Sequence, residues 1–382
     1  MAAGSRFVSW VFVFLMGAHA EAAGRVLLER LPEGWVQPRV VRSDDGSLHR
    51  VCLTGDPQAS DVVYSSRAPH ATDWSRPLRV NHQPGSAIAM GTIRGPDIAM
   101  GAGGRVHVMW NGSSKAQSKL PNSSPLFFAR MNSGVGSFEP ERVLNQGTRH
   151  LDGGGALAAD RSGHVWVFWH ASGQGDPDGE AFRSVFLAES ADSGATFSAA
   201  RPVSGSKWGA CGCCGIAAHA DGAGSLFALF RAASGGEDRD MILLTSHDRG
   251  ATFTGRTVDT WRATQCPMSL PWLGGEGDGT GMAWETGRRV VAARVRSGTV
   301  ESQWEPAGAG GRKHPVMAMD TSGRTLLVWS EGTGWQKGGA VEWQVLDAKG
   351  RPEGAVERRE GLPAWSRPAA VVDAAGDFRI FY

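Results

Sequence analysis

The sequence predicts an all-β protein built as a β-propeller of four-stranded blades. Three observations support this prediction: a motif of two apolar strands joined by a tight turn recurs along the chain, glycine is abundant at 53 of 382 residues, and no long segment has helical periodicity. Glycine-rich turns between many short strands are typical of all-β folds. A repeat of four strands in about 40 to 60 residues is the signature of a propeller blade.

The repeated motif is a short apolar strand, a turn of Asp, Ser and Gly residues, and a second apolar strand that ends in an aromatic residue. The motif has seven copies. Six of them span residues 38–52, 96–110, 155–169, 216–230, 314–329 and 368–382, and a weaker copy, fifth in chain order, centres on Gly279 and ends at Trp284. A third strand is predicted at 61–66, 126–131, 185–189, 241–245, 289–295 and 341–346, and a weaker fourth strand at 76–80 and 201–203.

The last copy supplies only two strands, so closing the ring requires strands from elsewhere. Residues 25–30 at the N-terminus can provide the missing outer edge. Counting copies gives seven blades, and six is the alternative if the first and last copies share one blade. No linker divides residues 21–382, which are predicted to form a single β-propeller domain.

The N-terminus is typical of a secretion signal over residues 1–20. Arg6 precedes the apolar segment 7–16, and small residues at 18 and 20 provide a cleavage site. The predicted location is therefore periplasmic or extracellular, with an uncleaved anchor as the alternative and no stable membrane span after cleavage. The balance of 39 Lys and Arg against 38 Asp and Glu argues against nucleic acid as a partner.

Two turns that follow predicted third strands share the form Ser-x-Asp-x-Gly-x-Thr-Phe. Asp accepts backbone hydrogen bonds in such a turn, Gly permits positive φ, and the aromatic residue covers the corner. This pattern resembles the Asp-box, or BNR repeat, of the sialidase superfamily, in which it is structural. The residues concerned are Ser190, Asp192, Gly194 and Phe197 in the first turn and Ser246, Asp248, Gly250 and Phe253 in the second.

The sialidase resemblance implies three arginines around a substrate carboxylate, a tyrosine nucleophile paired with a glutamate, and an aspartate acid/base. Candidate arginines exist at Arg94, Arg231 and Arg239. The tyrosines do not fit, because Tyr64 lies in a predicted third strand and Tyr382 is the last residue. We therefore expect a sialidase-like fold without the sialidase catalytic set.

Several segments together resemble a family of exported bacterial proteins described only as BNR-repeat or sialidase-like. The segments include 91–96, the Cys-x-Cys-Cys motif in 209–215, and the Cys-Pro-Met-Ser motif at 266–269. That family has no assigned reaction, so the resemblance implies a fold and a site location.

Chemically capable residues directly precede the first strands of consecutive blades. We therefore expect Arg94, Asp152, the cysteine cluster and Met268 to converge on one end of the central channel. Arg231 and Glu285 end second strands, and the sequence does not decide at which end of the channel they lie. The predicted ligand-binding residues are Arg94, Asp152, Trp208 and Met268, and the catalytic candidates are Arg94, Asp152, Arg231, Arg239 and Asp240.

The cysteines Cys211, Cys213, Cys214 and Cys266 allow three interpretations. The preferred one is a disulfide from one cysteine of the cluster to Cys266, with a second bond between the remaining two as an option, favoured by an oxidising compartment. The others are a soft-metal site on these four cysteines, with Met268 as a further ligand, and a nucleophilic or redox thiolate near an arginine. Cys52 is predicted to be an isolated buried strand residue.

These observations predict a propeller that binds a ligand at the channel mouth, with a carbohydrate or acidic glycan as the class. One alternative is a glycan-acting hydrolase or lyase with a mechanism that does not use tyrosine. A further alternative is a structural or protein-interaction propeller. We expect no cofactor and no resident metal.

Overall fold

The computed structural model describes Met1 and residues 24–382, apart from residues 119, 134–135, 265–266, 277–278, 297 and 309. The predicted signal at 1–20 and Cys266 therefore lie outside the described residues. Over the described range the chain forms seven small sheets in a ring, which is a seven-bladed β-propeller. Among the described residues, no helix has the length and apolarity needed to cross a bilayer.

The first three complete blades are built from consecutive strands. The innermost strand of each blade is named first, except in blade 3, where the short extra strand β10 precedes it. Blade 1 follows the N-terminal strand β1 (Val26–Glu29) and consists of β2 (Trp35–Arg42), β3 (Leu48–Asp56), β4 (Ala59–Arg67) and β5 (Leu78–Arg79). Blade 2 consists of β6 (Asp97–Met100), β7 (Val106–Asn111), β8 (Leu126–Arg130) and β9 (Arg142–Val143). Blade 3 consists of the short β10 (Thr148–Arg149), then β11 (Ala156–Ala159), β12 (Val165–Gly173), β13 (Ser184–Ser190) and β14 (Arg201–Pro202).

The remaining blades repeat the same order. Blade 4 consists of β15 (Ala217–Ala220), β16 (Leu226–Arg231), β17 (Met241–Ser246) and β18 (Thr254–Asp259). Blade 5 consists of β19 (Trp272–Glu276), β20 (Gly279–Thr286), β21 (Arg289–Arg296) and β22 (Thr299–Trp304). Blade 6 consists of β23 (Arg312–Met319), β24 (Thr325–Glu331), β25 (Gly339–Leu346) and β26 (Glu357–Leu362), and blade 7 begins with β27 (Ala369–Val372) and β28 (Phe378–Phe381).

The N-terminal strand closes the ring. Strand β1 pairs in parallel with β28, from Val26 opposite Phe378 to Glu29 opposite Phe381. Arg25 adds an ion pair to Asp377 at 2.9 Å. The predicted role of residues 25–30 and the count of seven blades are thus confirmed, and the alternative of six blades is wrong. Among the described residues the closing blade has three strands, and β1 is one of them.

Antiparallel pairing places the start of each first strand beside the end of the second strand. In blade 4, Ala217 at the start of β15 lies opposite Leu229 near the end of β16. We call the end of the ring where the first strands begin the front face. One turn differs from the prediction: Gly279, expected at the centre of the turn in blade 5, is the first residue of β20 and pairs with Glu276.

Large aromatic residues fill the space between neighbouring blades. The tryptophans that end or nearly end second strands are fully buried, as expected if both faces of each sheet pack on other sheets. They are Trp110, Trp169, Trp284 and Trp329. Cys52 is likewise fully buried in β3, and burial raises the pKa of its thiol to about 12.

The two Ser-x-Asp-x-Gly-x-Thr-Phe turns have the same hydrogen bonds. In the second turn, the backbone N–H of Gly250 donates to Ser246 Oγ at 2.7 Å, and Ser246 Oγ donates to Asp248 at 2.7 Å. Asp248 also accepts from the backbone and hydroxyl of Thr252, and these bonds lower the pKa of its carboxyl to about 2. The aromatic residue that follows packs on the preceding blade, since the ring centroids of Phe253 and Phe168 are 6.1 Å apart.

Ser246→Ala should lower the free energy of unfolding by about 2 kcal/mol, because the buried N–H of Gly250 would lose its acceptor. Urea unfolding followed by tryptophan fluorescence would measure the change. Thr257→Ala on the exposed outer strand of the same blade is the control, with an expected change within about 0.5 kcal/mol. Equal effects of the two substitutions would contradict the assigned role of the serine.

Four histidines are held neutral by the fold. Burial is the main cause, and neighbouring arginine or lysine side chains add to it. The pKa values fall to about 3 for His107, about 3 for His170 and about 4 for His219, and the pKa of His314 falls well below its ordinary value.

Acid should therefore destabilise the protein before its carboxylates titrate. Each unfolded chain binds a proton at these histidines below about pH 6.5, whereas the folded protein does not. The free energy of unfolding should fall as pH falls from about 6.5 to 4, by up to about 1.4 kcal/mol per pH unit for each histidine. Urea unfolding at a series of pH values tests this. His107→Phe should reduce the slope and the exposed His70→Asn should not; an unchanged slope in His107→Phe would refute the explanation.

Candidate functional site

The loops that begin first strands meet at the front face through backbone contacts. Gly215 N–H donates to Ser269 O at 3.0 Å, and Ile216 N–H donates to Gly154 O at 3.3 Å. A methyl group on Gly153 would lie less than 3.0 Å from both Cys214 O and His170 Nε2. Blades 3, 4 and 5 are therefore joined around the channel by contacts that leave no room for a side chain.

Backbone strain accompanies these contacts. Non-glycine residues rarely adopt positive φ, and such conformations concentrate at functional sites. Several of them lie at the front face, either in its loops or in the first residues of first strands: Gln37, Thr92, His150, Met268, His314, Gln336 and Trp365. The predicted site residue Met268 is one of these, with φ of 47°.

Two ion pairs lie at the front face, the first within blade 3 and the second between blades 3 and 4. Arg183 contacts Asp152 at 2.9 Å, and Arg239 contacts Glu180 at 2.9 Å. Glu180 also accepts the backbone N–H of Gly212 at 2.5 Å, which holds the cysteine loop against blade 3. The structure thus brings the predicted residues Asp152 and Arg239 to one rim, each with a partner that the sequence did not reveal.

Arg94 lies at the same rim, but its charge is not matched by a contacting carboxylate. Its Nε donates to Asp152 O at 2.5 Å and its Nη1 to Met90 O at 3.4 Å. The side chain is half-buried, and within the described part of the chain it forms no ion pair. Burial lowers the pKa of this guanidinium, so a ligand anion would relieve the cost of desolvating it.

An exposed tryptophan stands next to Arg94. Trp335, in the loop between β24 and β25, is 58% exposed, and its ring contacts Trp365 edge-on with centroids 4.6 Å apart. A methyl group on Gly91 would lie 3.7 Å from both Arg94 Nη1 and Trp335 Cζ3, and 3.8 Å from Met268 Cε. Arg94, Met268 and Trp335 therefore surround one point at the mouth of the channel, although they come from three different blades.

Arg231 and Glu285 also lie at the front face, which resolves the choice that the sequence left open. Arg231 Nη2 donates to Glu285 O at 2.5 Å, and Nη1 donates to Arg239 O at 2.8 Å. Both side chains are almost completely buried. Burial raises the pKa of Glu285, while Lys313 and Arg231 oppose the increase.

The cysteine cluster lies beside Arg231. Cys211 N–H donates to Arg231 O at 2.9 Å, and the Sγ of Cys211 lies 3.3 Å from that of Cys213 and 3.5 Å from that of Cys214. The three sulfur atoms lie within 4.8 Å of one another, a spacing that a metal ion could bridge. Cys211 and Cys214 are free thiols, so neither forms the predicted disulfide, and the bridge from the cluster to Cys266 stays a prediction for Cys213.

The two buried thiols differ in their acidity. Burial opposes ionisation of Cys214, but the hydrogen bond from Cys211, the charge of Arg231 and the N–H of Ser269 outweigh it and lower the pKa of Cys214 below its ordinary value. Donation of that hydrogen bond raises the pKa of Cys211, and burial raises it further. The pair therefore keeps its proton on Cys211 and favours the thiolate form of Cys214.

Two predicted site residues have evident structural contacts. Trp208 packs on the outer strand of its own blade, where a methyl group on Gly255 would lie less than 3.0 Å from its ring. Asp240 accepts the backbone N–H of Trp261 at 3.1 Å. A ligand-binding role for Trp208 and a catalytic role for Asp240 stay predictions.

The tyrosines are packed within blades. Tyr64 is 4% exposed in β4, and its hydroxyl lies 2.7 Å from His49 Nδ1. Tyr382 is 7% exposed, and its backbone N–H donates to Glu29 O at 3.2 Å. Tyr64 lies in the third strand of its blade, as the sequence predicts, and Tyr382 directly follows β28.

Sequence reasoning missed Glu180, Arg183, Lys313 and Trp335. Lys313 Nζ donates to Pro267 O at 2.6 Å, directly beside Met268. The sequence could have indicated Lys313, because it lies at the beginning of a first strand, and Asp152 was predicted as a site residue from its position shortly before one. Glu180, Arg183 and Trp335 lie in loops between second and third strands, where no motif marked them.

Fold and site together define a seven-bladed propeller with a charged, cysteine-containing front face. The chain matches no family model, and no curated protein matches it. Solved structures do match it in fold, with sequence identities far below the level that would establish a shared activity.

One similar structure is a protein of unknown function from Dyadobacter fermentans, at 14% identity and a TM-score of 0.54, over 88% of this chain and 96% of that one. Another is Trypanosoma rangeli sialidase, at 11% identity and a TM-score of 0.53, over 80% of this chain and 54% of that one. The leech intramolecular trans-sialidase is similar at 11% identity and a TM-score of 0.50, over 87% of this chain and 79% of that one.

Gly153→Ala should disrupt the front face, because the added methyl group would collide with Cys214 O and His170 Nε2. We expect a loss of about 2 to 3 kcal/mol in the free energy of unfolding. Gly236→Ala is the matched control, since a methyl group there meets nothing within 4 Å. Chemical denaturation of both variants would decide; wild-type stability in Gly153→Ala would show that the loops can separate at little cost.

Proposed function

We propose that this protein binds an acidic glycan at the mouth of the channel on the front face. The observation that carries the proposal is the exposed ring of Trp335 beside the guanidinium of Arg94. A sugar presents one apolar face, which suits stacking on an indole ring, and an acidic sugar adds a carboxylate, which suits a guanidinium fork.

The exposure of Trp335 supports a binding role. A tryptophan that is 58% exposed leaves a large apolar surface in water, whereas Trp110, Trp169, Trp284 and Trp329 are fully buried. Its edge-on contact with Trp365 fixes its orientation before any ligand arrives. A fixed ring loses little conformational freedom on binding, which favours affinity.

The charge of the rim favours an anion. Arg183 and Arg239 are matched by Asp152 and Glu180. Arg94 and Lys313 contribute positive charge to the same rim and donate hydrogen bonds to backbone carbonyls. An acidic ligand would complete the balance of charge there, while a neutral sugar would not.

The comparisons support the ligand class by analogy of fold alone. The leech trans-sialidase was solved with 2,7-anhydro-Neu5Ac, prepared by soaking with 3'-sialyllactose, and a T. rangeli sialidase structure holds a covalent intermediate. Both of those proteins act on or bind acidic sugars by their descriptions. We also propose export, on the predicted signal at residues 1–20, so that the site would meet extracellular or periplasmic glycans.

One specific observation favours a catalytic alternative. Asp152 is 55% exposed at the rim, paired with Arg183, and a carboxylate in that position could act on a bound glycan. The hydrolase or lyase interpretation would then use Asp152 together with Arg94. An interaction propeller without a small ligand is the remaining alternative.

Isothermal titration with 3'-sialyllactose and with an oligouronate, compared with lactose, tests the proposal. We expect saturable binding of at least one acidic glycan and none of lactose. Arg94→Gln and Trp335→Ala should each weaken binding at least about tenfold, equivalent to about 1.4 kcal/mol. Arg161→Gln is the matched control, because Arg161 is an exposed arginine in the turn at the opposite end of blade 3.

The outcomes separate the alternatives. Binding that survives both front-face substitutions would refute this location for the site. Release of product from either acidic glycan, abolished in Asp152→Asn, would replace the binding proposal with the hydrolase or lyase. Absence of binding to every glycan would favour the interaction propeller.

A further inference from the structure

Cys211 and Cys214 form a closely spaced pair of buried free thiols. Their Sγ atoms are 3.5 Å apart, with Cys211 as the hydrogen-bond donor, and the side chains are 2% and 1% exposed. They are separated by two residues, a spacing that allows both sulfur atoms to meet within one turn, and Cys214 N–H lies 3.5 Å from Cys211 O. Only a small movement is needed to bring the sulfur atoms to bonding distance, which is about 2.05 Å.

Contacts from three blades hold the pair in place. Blade 3 provides Glu180, which accepts the N–H groups of Gly212 through Oε1 at 2.5 Å and of Ala210 through its backbone oxygen at 2.9 Å. Blade 4 provides the carbonyl of Arg231, and blade 5 provides Ser269, whose carbonyl accepts Gly215 N–H. A loop fixed from both sides presents its sulfur atoms in one arrangement, as a pre-organised reactive site requires.

Arg231 supplies the positive charge that a thiolate needs. It is 3% exposed and donates to two backbone carbonyls, while its Nε has no hydrogen-bond partner among the described residues. A buried guanidinium without a contacting carboxylate favours a nearby anion. Glu285 is a competing anion, but its own burial disfavours its charged form.

We propose that Cys211 and Cys214 are a redox-active dithiol that reduces hydroperoxides, with Cys214 as the attacking thiolate and Cys211 as the resolving thiol. Burial favours a small oxidant such as hydrogen peroxide over a bulky disulfide. The proposal does not depend on glycan binding.

The chemistry balances in two steps. The Cys214 thiolate attacks one oxygen of the peroxide, an S–O bond forms, the O–O bond breaks, and the departing hydroxide takes a proton to become water. The Cys211 sulfur then attacks the sulfenic acid on Cys214, an S–S bond forms, the S–O bond breaks, and the hydroxyl leaves as water with the Cys211 proton. Two thiols are oxidised to one disulfide, and one hydrogen peroxide is reduced to two waters.

The test uses the full-length protein, reduced and freed of reductant, and one equivalent of hydrogen peroxide. The number of thiols that react with Ellman's reagent after denaturation should fall by two, and dithiothreitol should restore both. Alkylation and peptide mapping should locate the loss at Cys211 and Cys214. Cys52, fully buried in β3, serves as the internal reference and should react at least about a hundredfold more slowly.

Substitutions assign the two roles. Cys211→Ser should stop disulfide formation and leave a sulfenic acid on Cys214 that dimedone labels. Cys214→Ser should slow the reaction at least about tenfold, and Cys52→Ser should leave it unchanged. The mapping of the wild-type protein decides the question even if a front-face variant does not fold.

Three results would overturn the proposal. The first is survival of both thiols under peroxide, and the second is a disulfide that joins Cys211 or Cys214 to a cysteine outside the pair. The third is one-to-one binding of Cu(I) by the pair, in competition with bicinchoninate, together with resistance to peroxide. That result would make Cys211 and Cys214 ligands of a soft metal instead.

Discussion

Backbone-to-backbone contact around the channel is the constraint on which the front face depends. Gly153, Gly154 and Gly215 lie so close to carbonyl or side-chain atoms of neighbouring blades that no Cβ would fit. Each loop therefore fixes the position of the next, and the chemistry of four blades is brought to one rim. The functional side chains at the rim belong to residues next to close-packed glycines in the sequence, including Arg94, Asp152 and Cys214.

Burial and charge then give the rim two regions of different character. Toward the channel mouth, Arg94 and Trp335 are accessible to a ligand, and the nearby Arg183–Asp152 pair is partly in water. Deeper in the seam between blades 4 and 5, Arg231, Glu285 and the thiol pair are almost fully removed from solvent. A polar ligand and a small oxidant would therefore use adjoining but separate parts of the same face.

Much of this architecture was predictable because a propeller repeats. The turn motif marked the inner hairpins, the incomplete last copy predicted the closing strand, and convergence of first strands placed Arg94, Asp152, Cys214 and Met268 together. The position of Arg231 and Glu285 followed from antiparallel pairing and could have been deduced. Trp335 could not, since exposure of a loop residue depends on which neighbours fail to cover it.

The parallel pairing of β1 with β28 has a consequence for folding order. Arg25 and Asp377 are 352 positions apart, so the chain-entropy cost of joining them is about 5 kcal/mol on the logarithmic scaling of loop length. That contact can form only when residues 377–381 have been synthesised. Until then the N-terminal strand and the last blade expose unpaired edges, which invite association with other chains. The seventh blade is therefore completed last, and a chain that stops short of Phe378 would lack the strand with which β1 pairs.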